Sequence, residues 1–381
     1  MKIIIIHVGD VLRCPPVINL INLLGRIGVN TILITTQSKS FNQFAYPWLK
    51  TITIPYEYQK KRSVVNKFFD MYSLRNKLWN AIDQQYNNES CLWITTDVTL
   101  KNLGNRVLNY RYVLQQMELT EKLYYYNRIP FLRMNENKIG NKAVAVVVPE
   151  YLRSHITKAW WDLNKIPLIF SNKPVINTEF VKNDIVTDDY ARKVIDKLEG
   201  KKIILYQGII HPERPLDSFI RAISRLGEEY AFVIMSNGED IYKHLNSRNY
   251  YFIPYVAPPD HLRITSHAYI GVLSYFPTRS SQYSILNAVF CAPNKTFEYS
   301  MFGIPMIGND IPGLWFPFTM NNCGTCVSDF SEDGILKAIS IVESNYSQMS
   351  ENALKYYNSV NNEEQLKTII SVINDSLDSR K

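Results

Sequence analysis

The chain has 381 residues, 46% of them hydrophobic and 20% charged, a composition typical of a globular protein of two or three domains. Its formal net charge is +7, no apolar run reaches about 18 residues, and five cysteines are too few for a disulfide framework in a chain of this size. The sequence therefore argues against a membrane-spanning or disulfide-stabilised protein, and its six histidines show no metal-ligand spacing.

The first elements predict a parallel α/β sheet. Residues 2–8 form an apolar strand, a helix opens at Pro15 and runs to about Leu24, and residues 31–35 form the next strand. Such a β–loop–α–β start predicts right-handed crossovers between parallel strands. Gly9 ends the first strand, and its missing side chain would let a ligand approach the backbone. A GxGxxG fingerprint is absent, which disfavours NAD binding.

The first residues also predict where the protein works. Met1 and Lys2 are followed directly by four isoleucines, an apolar run too short for the core of a signal peptide. We therefore expect a cytoplasmic protein.

A basic and aromatic stretch, residues 58–79, follows a short strand at residues 52–55. Its interleaved charges and aromatic side chains predict an amphipathic helix. This helix could face a membrane surface, or it could pack its aromatic side chains inward. The inward packing is slightly favoured.

Two carboxylates follow buried strands of the first half. Asp97 ends the strand that starts at Cys91, and Glu118 ends the strand that starts at Tyr112. Ligands of open α/β sheets bind beyond the carboxyl ends of the strands, so both residues are candidates for substrate contact and catalysis. Helix capping is the alternative for each of them. A strand at residues 143–149 and a hinge at residues 166–174 complete this half.

Positive charge is concentrated in the same half. Residues 1–172 hold 22 lysines and arginines against 11 acidic residues, a net charge of +11, whereas residues 173–381 hold 20 against 24, a net charge of −4. This asymmetry indicates an anionic partner, such as nucleic acid, a membrane surface or a phosphorylated acceptor. A solvated basic face is the alternative.

The second half repeats the pattern of the first. An apolar strand from Lys201 ends at Gly208, and a loop carrying Arg214 leads into a helix at residues 216–226. The Arg214 guanidinium could pair with a diphosphate, or simply with a capping carboxylate. Asn237 stands in the turn after the next strand and is a further candidate contact to a bound donor.

The most informative stretch is residues 293–313. Asn294 is predicted to cap a helix that runs to about Phe302, Gly303 to provide a left-handed C-cap, and Pro305 to prevent continuation. A short strand, Met306-Ile307, is expected next.

The first turn of this predicted helix carries groups that suit a nucleotide. Asn294, Lys295 and Thr296 could bind a phosphate through free N–H groups, the helix dipole and the lysine charge. Glu298 lies one turn on, where a carboxylate can accept hydrogen bonds from two sugar hydroxyls. The pattern indicates a nucleoside diphosphate site, with Lys295 on phosphate and Glu298 on ribose. An ordinary capped helix with a surface glutamate is the alternative.

The motifs P-N-K-x-F-E-Y, G-x-P-M-I and D-I-P-G in this stretch resemble the nucleotide-sugar signature of retaining glycosyltransferases of the GT-B fold. The resemblance implies an α/β protein with two Rossmann-like domains whose parallel sheets face each other across a cleft. Residues 1–172 would form the acceptor-binding domain and residues 173–360 the nucleotide-sugar domain. Residues 361–381 would form a helix that crosses back to the first domain.

The resemblance also implies roles for the candidate residues. Glu298 would bind the donor ribose, Arg214 and the helix start at Asn294–Thr296 would face the diphosphate, and Gly9 would lie under the donor phosphates. Gly208 would belong to the donor site, and the backbone near Tyr255 would meet the base. One departure is Phe290, which stands where many members carry a second glutamate near the donor sugar.

The sequence therefore predicts a cytoplasmic, membrane-peripheral enzyme that moves a sugar from a nucleoside diphosphate to a glycan or lipid-linked acceptor in surface polysaccharide or glycolipid assembly. Arg214 and Lys295 would stabilise the leaving diphosphate, so neither a cofactor nor a metal is expected. An anionic membrane or a lipid-diphosphate acceptor fits this enzyme better than nucleic acid. The alternatives are a nucleotide-sugar epimerase or phosphorylase on the same fold, and a non-catalytic partner protein.

Overall fold

The chain folds into two compact units, each built on its own parallel sheet. The computed structural model describes residues 1–37, 46–56, 63–124, 133–176, 178–278 and 284–378. The first unit comprises residues 1–175 and 361–381, and the second comprises residues 176–360.

The sheet of the first unit has seven strands in the order β3-β2-β1-β4-β5-β6-β7. Neighbouring strands are parallel throughout. The strands are β1 (Lys2–Asp10), β2 (Asn30–Gln37), β3 (Lys50–Thr53), β4 (Ser90–Ile94), β5 (Tyr112–Gln115), β6 (Ala145–Val148) and β7 (Leu168–Ile169). Ile3 to Ile6 of β1 are all fully buried, as expected for a strand covered by helices on both faces.

In the described residues of this unit, six α-helices surround the sheet. They are α1 (Pro15–Arg26), α2 (Val64–Gln85), α3 (Asp97–Leu103), α4 (Glu136–Lys142), α5 (Tyr151–Trp161) and α14 (Asn362–Asp378). The helix α4 begins at Glu136 because Asn135 caps it, its side chain accepting the N–H of Lys138, and residues 125–132 before it lie outside the described ranges.

The last helix of the chain belongs to the first unit although it follows the second in sequence. Leu366, Ile369 and Ile373 of α14 are buried in the same apolar cluster as Ile3 and Ile5 of β1. At the start of the helix, Asn362 Nδ2 donates to the carbonyl oxygens of Ser171 at 3.0 Å and Lys173 at 2.9 Å. Apolar packing and side-chain hydrogen bonds therefore both hold this segment on the first unit.

The second unit has six parallel strands in the order β10-β9-β8-β11-β12-β13. The strands are β8 (Lys202–Gln207), β9 (Tyr230–Ser236), β10 (Tyr250–Pro254), β11 (Ile270–Leu273), β12 (Met306–Asn309) and β13 (Gly324–Val327). The helices are α6 (Asp189–Lys197), α7 (Asp217–Ser224), α8 (His261–Thr265), α9 (Leu286–Val289), α10 (Asn294–Ser300), α11 (Pro312–Asn321), α12 (Glu332–Ser344) and α13 (Tyr346–Ser359).

The strand order of the second unit reverses between β8 and β11. In open parallel sheets, ligands bind beyond the carboxyl ends of the two strands that flank such a reversal. A ligand-binding site is therefore expected among the residues that follow β8 and β11.

Candidate functional site

Beyond the end of β8, the side chain of Lys295 lies directly against the backbone of Gly208. A Cβ atom added to Gly208 would stand 2.7 Å from Lys295 Cε, closer than atoms of this kind approach, and the φ angle of Gly208 is +127°. The φ angle favours glycine at this position, and a larger residue would also displace the end of the Lys295 side chain. Glycine here lets Lys295, from α10, reach the end of the strand.

The ammonium group of Lys295 is buried without a hydrogen-bond acceptor. The residue is 8% exposed, and Nζ finds no hydrogen-bond partner in the part of the chain that the structure describes. Nζ lies 4.2 Å from the ring centroid of Tyr206 and 5.5 Å from that of Tyr275. Aromatic faces attract a cation but leave its three N–H donors unsatisfied. The group is therefore poised to bind an anionic oxygen.

Arg214 brings a second positive charge to the same place. Its guanidinium carbon lies 5.0 Å from the centroid of the Tyr275 ring, which Lys295 also approaches. Burial first, and then the positive charge of Arg214, hold the pKa of Lys295 well below its usual range. An anion bound to both groups would relieve this repulsion.

The backbone of Tyr275, whose ring both cations approach, is held by the end of β12. Buried Asn309 accepts the backbone N–H of Tyr275 at 2.8 Å and donates to the Tyr275 carbonyl oxygen at 2.7 Å. Tyr206 is also held, because its hydroxyl donates to the carbonyl oxygen of Ile209 at 2.8 Å. The pair Lys295 and Arg214, called the cation site below, is therefore preorganised and is not assembled from mobile side chains.

Glu298 of α10 is buried beside this cation site, which excludes the alternative of a surface glutamate. Its Oε2 accepts a hydrogen bond from Gln207 Nε2, and its Oε1 lies 3.4 Å from His261 Nε2. Burial acts to raise the pKa of Glu298, but hydrogen bonding to His261 and Gln207 outweighs it and lowers the pKa below its usual value. The carboxylate is therefore ionised at neutral pH.

A second shell of hydrogen bonds orients the partners of Glu298. Thr265 Oγ1 donates to Gln207 Oε1 at 2.6 Å, which turns the amide nitrogen of Gln207 towards the carboxylate. A carboxylate offers about four acceptor directions, and Gln207 and His261 occupy two of them. Two directions remain for hydroxyl groups of a ligand.

The predicted capping role of Asn294 is wrong. The N-cap is Pro293, which has extended backbone angles and no side-chain cap bond, and Asn294 is the first helical residue. The carbonyl oxygen of Pro293 accepts the N–H of Thr296 at 3.3 Å, so the backbone rather than an asparagine side chain closes the first turn. Thr296 Oγ1 is buried and, within the described ranges, has no hydrogen-bond partner.

The remaining candidates of the second unit lie on neighbouring strands. Asn237 follows β9 and Tyr255 follows β10, so both occupy the carboxyl edge of the sheet that carries Gly208. Tyr255 is 53% exposed. The structure thus joins Gly208, Arg214, Lys295 and Glu298 in one cluster and places Asn237 and Tyr255 one and two strands away from β8.

Three predicted residues lie in the first unit. Gly9 is near the end of β1 with a φ angle of +141°, and its N–H donates to Thr36 Oγ1 at 2.9 Å. Asp97 is the first residue of α3, where its Oδ2 lies 2.6 Å from Nζ of Lys101, an ion pair within one helix. Glu118 is half-buried in the segment after β5.

Sequence reasoning missed several residues around these positions. Gln207 and His261 contact Glu298, and Tyr206 and Tyr275 lie under the two cations. A polar residue at the end of an apolar strand was the only sign of Gln207, and nothing in the sequence predicted α8, which carries His261. In the first unit, His7 is buried, with Nδ1 2.9 Å from Thr95 Oγ1, and burial lowers its pKa to about 4.

Within the described parts of the chain, no three His, Cys, Asp or Glu side chains are grouped so as to hold a metal ion. None of the helices there is both long enough and apolar enough to cross a bilayer.

No protein-family model matches the chain, and no curated protein matches its sequence. Solved structures match it over its whole length. Sucrose-phosphate synthase from Thermosynechococcus elongatus is 12% identical with a TM-score of 0.69, and the match covers 100% of both chains. Anabaena HepE in complex with UDP-glucose is 11% identical with a TM-score of 0.63, again over 100% of both chains.

WaaG, a glycosyltransferase involved in lipopolysaccharide biosynthesis, is 11% identical with a TM-score of 0.57, and the match covers 99% of each chain. At these identities the similarity shows the fold. The chain has the GT-B fold, and the predicted α/β class with two Rossmann-like domains is confirmed.

Proposed function

We propose that the chain is a glycosyltransferase that transfers a sugar from a nucleoside diphosphate sugar to an acceptor. One observation carries the proposal: the buried ammonium of Lys295, without a hydrogen-bond partner among the described residues, lies beside Arg214 where the strand order of the second sheet reverses. Such a site fits a compact, highly charged anion, and the diphosphate of a nucleotide sugar is one.

The same groups would act in the reaction. When the bond between the sugar and the diphosphate breaks, negative charge accumulates on the leaving phosphate oxygen. Lys295 and Arg214 are held in place before the reaction, so they can stabilise that charge without reorganisation. Glu298, ionised and oriented by Gln207 and His261, would accept hydrogen bonds from the ribose hydroxyls.

Finer features follow from the sequence resemblance. We propose that the acceptor is a glycan or a lipid-linked diphosphate, that the protein works in the cytoplasm at the inner face of the cell membrane, and that the sugar keeps its anomeric configuration. No metal is needed in this proposal because Lys295 and Arg214 supply the positive charge. Turnover that EDTA leaves unchanged would support metal independence. A product with the anomeric configuration of the donor would support retention.

The test is nucleotide release from a panel of UDP, GDP and ADP sugars, which release a nucleoside diphosphate, and of CMP sugars, which release CMP, with and without simple glycoside and lipid-diphosphate acceptors. UDP-glucose is the first donor to try, since the structurally similar HepE was solved with it. A transferase releases the nucleotide faster when acceptor is present. An epimerase would alter the sugar without acceptor, a phosphorylase would require inorganic phosphate, and a non-catalytic partner would do neither.

Two substitutions of lysines in the second unit make this test specific. Lys295→Met should reduce release by about 100-fold or more, as the loss of one preorganised charge does in other enzymes. Lys182→Met is the matched control, because Lys182 Nζ already donates to the Ala268 carbonyl oxygen at 2.8 Å. Normal turnover in Lys295→Met would contradict the proposal.

A further inference from the structure

The helix α2 of the first unit is anchored along its second half. Leu74, Leu78, Trp79 and Ile82 are buried in the apolar core. Arg75 Nε donates to the Asn102 carbonyl oxygen at 2.8 Å, and Trp79 Nε1 donates to the Leu103 carbonyl oxygen at 2.9 Å. These contacts hold α2 firmly on the end of α3.

The first half of the same helix presents aromatic side chains to solvent. Phe68 is 44% exposed, Phe69 is 65% exposed and Tyr72 is 56% exposed. Tyr72 lies four positions after Phe68 and three after Phe69, the spacings of neighbouring side chains on a helix, so these three rings form a continuous patch, the aromatic face of α2. Inward packing of the aromatic side chains, the slightly favoured prediction, is therefore wrong for these turns. It holds for Trp79, which lies against α3.

The aromatic face is part of a defined helix and not of a frayed end. Ser63 caps α2, since its Oγ accepts the N–H of Asn66 at 3.3 Å. Clustered exposed aromatic rings on a firmly held helix are unfavourable in water unless they meet a partner. The aromatic face of α2 therefore indicates a partner that covers it.

The charge of the first unit indicates an anionic partner. Residues 1–175 and 361–381 together hold 26 lysines and arginines against 15 acidic residues, a net charge of +11, whereas residues 176–360 hold 16 against 20. On α2 itself, Lys67 precedes the aromatic face and Lys77 follows it, against one nearby acidic residue, Asp70. Aromatic rings flanked by lysines match the interfacial zone of an anionic bilayer, where rings insert at the headgroup level and lysines meet lipid phosphates.

We propose that the aromatic face of α2 docks the first unit on the surface of an anionic lipid bilayer. Phe68, Phe69 and Tyr72 enter the interfacial region, and the positive charge of the unit draws the protein to the membrane. The proposal does not depend on the donor site, because all of its observations lie in the first unit.

The experiment is flotation of the full-length protein with vesicles of phosphatidylcholine alone and of phosphatidylcholine with phosphatidylglycerol. The parent should float only with the anionic vesicles, and less at high salt, since surface attraction is screened within about 8–10 Å at 0.1–0.15 M salt. Phe69→Ser/Tyr72→Ser should lower the partition coefficient by about tenfold or more, because two rings no longer enter the interface.

The matched control is Tyr190→Ser/Trp315→Ser, which removes two rings of 55% and 47% exposure from the second unit and should float like the parent. Phe69→Ser alone should reduce flotation by an intermediate amount. Such a graded loss would show that the effect of the double variant does not come from misfolding. No flotation of the parent at low salt, or equal flotation of Phe69→Ser/Tyr72→Ser and parent, would overturn the proposal. A concentration-dependent dimer that only Phe69→Ser/Tyr72→Ser abolishes, without vesicle binding, would assign the face to a second copy instead.

Discussion

Lys295 gives the clearest expectation at the scale of single residues. Its ammonium is buried and lacks a hydrogen-bond partner in the described chain, so the free protein bears a desolvation penalty at this position. Lys295→Met keeps an unbranched side chain of similar shape, one atom shorter, and removes the charge. We expect the variant to be more stable than the parent by about 1–3 kcal/mol at pH 7, although it loses function.

The pH dependence of this gain follows from the direction of the pKa shift. A lysine whose pKa is lowered on folding destabilises the folded state at every pH below its unfolded value near 10.4, and the penalty vanishes as the pH rises to that value. The stability difference between Lys295→Met and the parent, from urea unfolding, should therefore shrink between pH 8 and pH 10. A destabilised Lys295→Met would show that the ammonium has a favourable partner.

Glu298 should matter for the sugar of the nucleotide and not for its phosphates. Gln207 and His261 leave two acceptor directions of the carboxylate for ribose hydroxyls. Glu298→Gln removes the charge, so binding of a nucleoside diphosphate should weaken by about 1–3 kcal/mol. The loss should be much smaller for the corresponding 2′- or 3′-deoxy nucleotide, measured by calorimetry. Equal losses for the ribose and deoxyribose forms would remove Glu298 from ribose recognition.

His7 makes the stability of the protein sensitive to acid. Burial lowers its pKa from 6.5 to about 4, so between these two pH values the unfolded chain binds a proton at His7 and the folded chain does not. Stability is unaffected above pH 6.5, falls as the pH drops towards 4, and is lowered by about 3 kcal/mol below that, at 1.36 kcal/mol per pKa unit. His7→Gln should lose less stability than the parent between pH 7 and pH 4, judged from urea midpoints. Parallel pH profiles would show that His7 takes up its proton without unfolding.

At the scale of elements, substitutions of two glycines distinguish the effect of backbone strain from the effect of displacing Lys295. Gly208 and Gly238 follow adjacent strands with φ angles of +127° and +108°. A Cβ added to Gly238 meets nothing within 4 Å, whereas one added to Gly208 meets Lys295 Cε at 2.7 Å. Gly238→Ala should therefore cost about 1 kcal/mol of stability through backbone strain and leave nucleotide binding unchanged.

Gly208→Ala carries the same strain and also displaces the lysine. It should lose more stability than Gly238→Ala and weaken nucleoside diphosphate binding at least tenfold, or about 1.4 kcal/mol. Both effects can be read from one thermal-shift titration. Unchanged binding in Gly208→Ala would mean that Lys295 does not need its observed position to bind the nucleotide.

The elements that the sequence predicted are those with strong local patterns. Apolar strands such as residues 2–8 and the left-handed backbone of Gly303, with a φ angle of +62°, need only local information. The helix before Gly303 ends earlier than predicted, at Ser300, and its C-cap is Met301. The helix α11 was missed because Pro317 lies inside it and its apolar residues do not follow a helical stripe. Tertiary packing around buried Leu314 and Phe318 holds it together, and a single sequence does not display such contacts.

The same distinction applies to the site. Lys295 and Glu298 could be predicted because they share one turn of α10, and Arg214 because a basic residue stands at the entry of a helix. Gln207 donates to a residue 91 positions away, and such contacts exist only after the sheet has formed. The sequence also gave Asn294 a capping role because an asparagine side chain can accept an N–H of the first turn, but Pro293 holds the N-cap position.

At the scale of the whole molecule, the two units divide charge and chemistry between them. The first unit carries the net charge of +11 and the aromatic face of α2, and the second carries the cation site within a unit that has more acidic than basic residues. Lys295 and Arg214 therefore concentrate positive charge locally, against the overall sign of their unit. Selectivity for a diphosphate should come from these two side chains and not from a general attraction of the unit for anions.

The most direct test is therefore the preference for a nucleoside diphosphate over the matching monophosphate, measured by calorimetry with UDP and UMP, GDP and GMP, and ADP and AMP. For at least one base, the parent should bind the diphosphate about tenfold or more tightly, because the second phosphate meets Lys295 and Arg214. Lys295→Met should reduce this preference to about twofold or less, and Lys182→Met should retain it. Failure of the parent to bind any nucleoside diphosphate at millimolar concentration, or a full preference in Lys295→Met, would contradict the account.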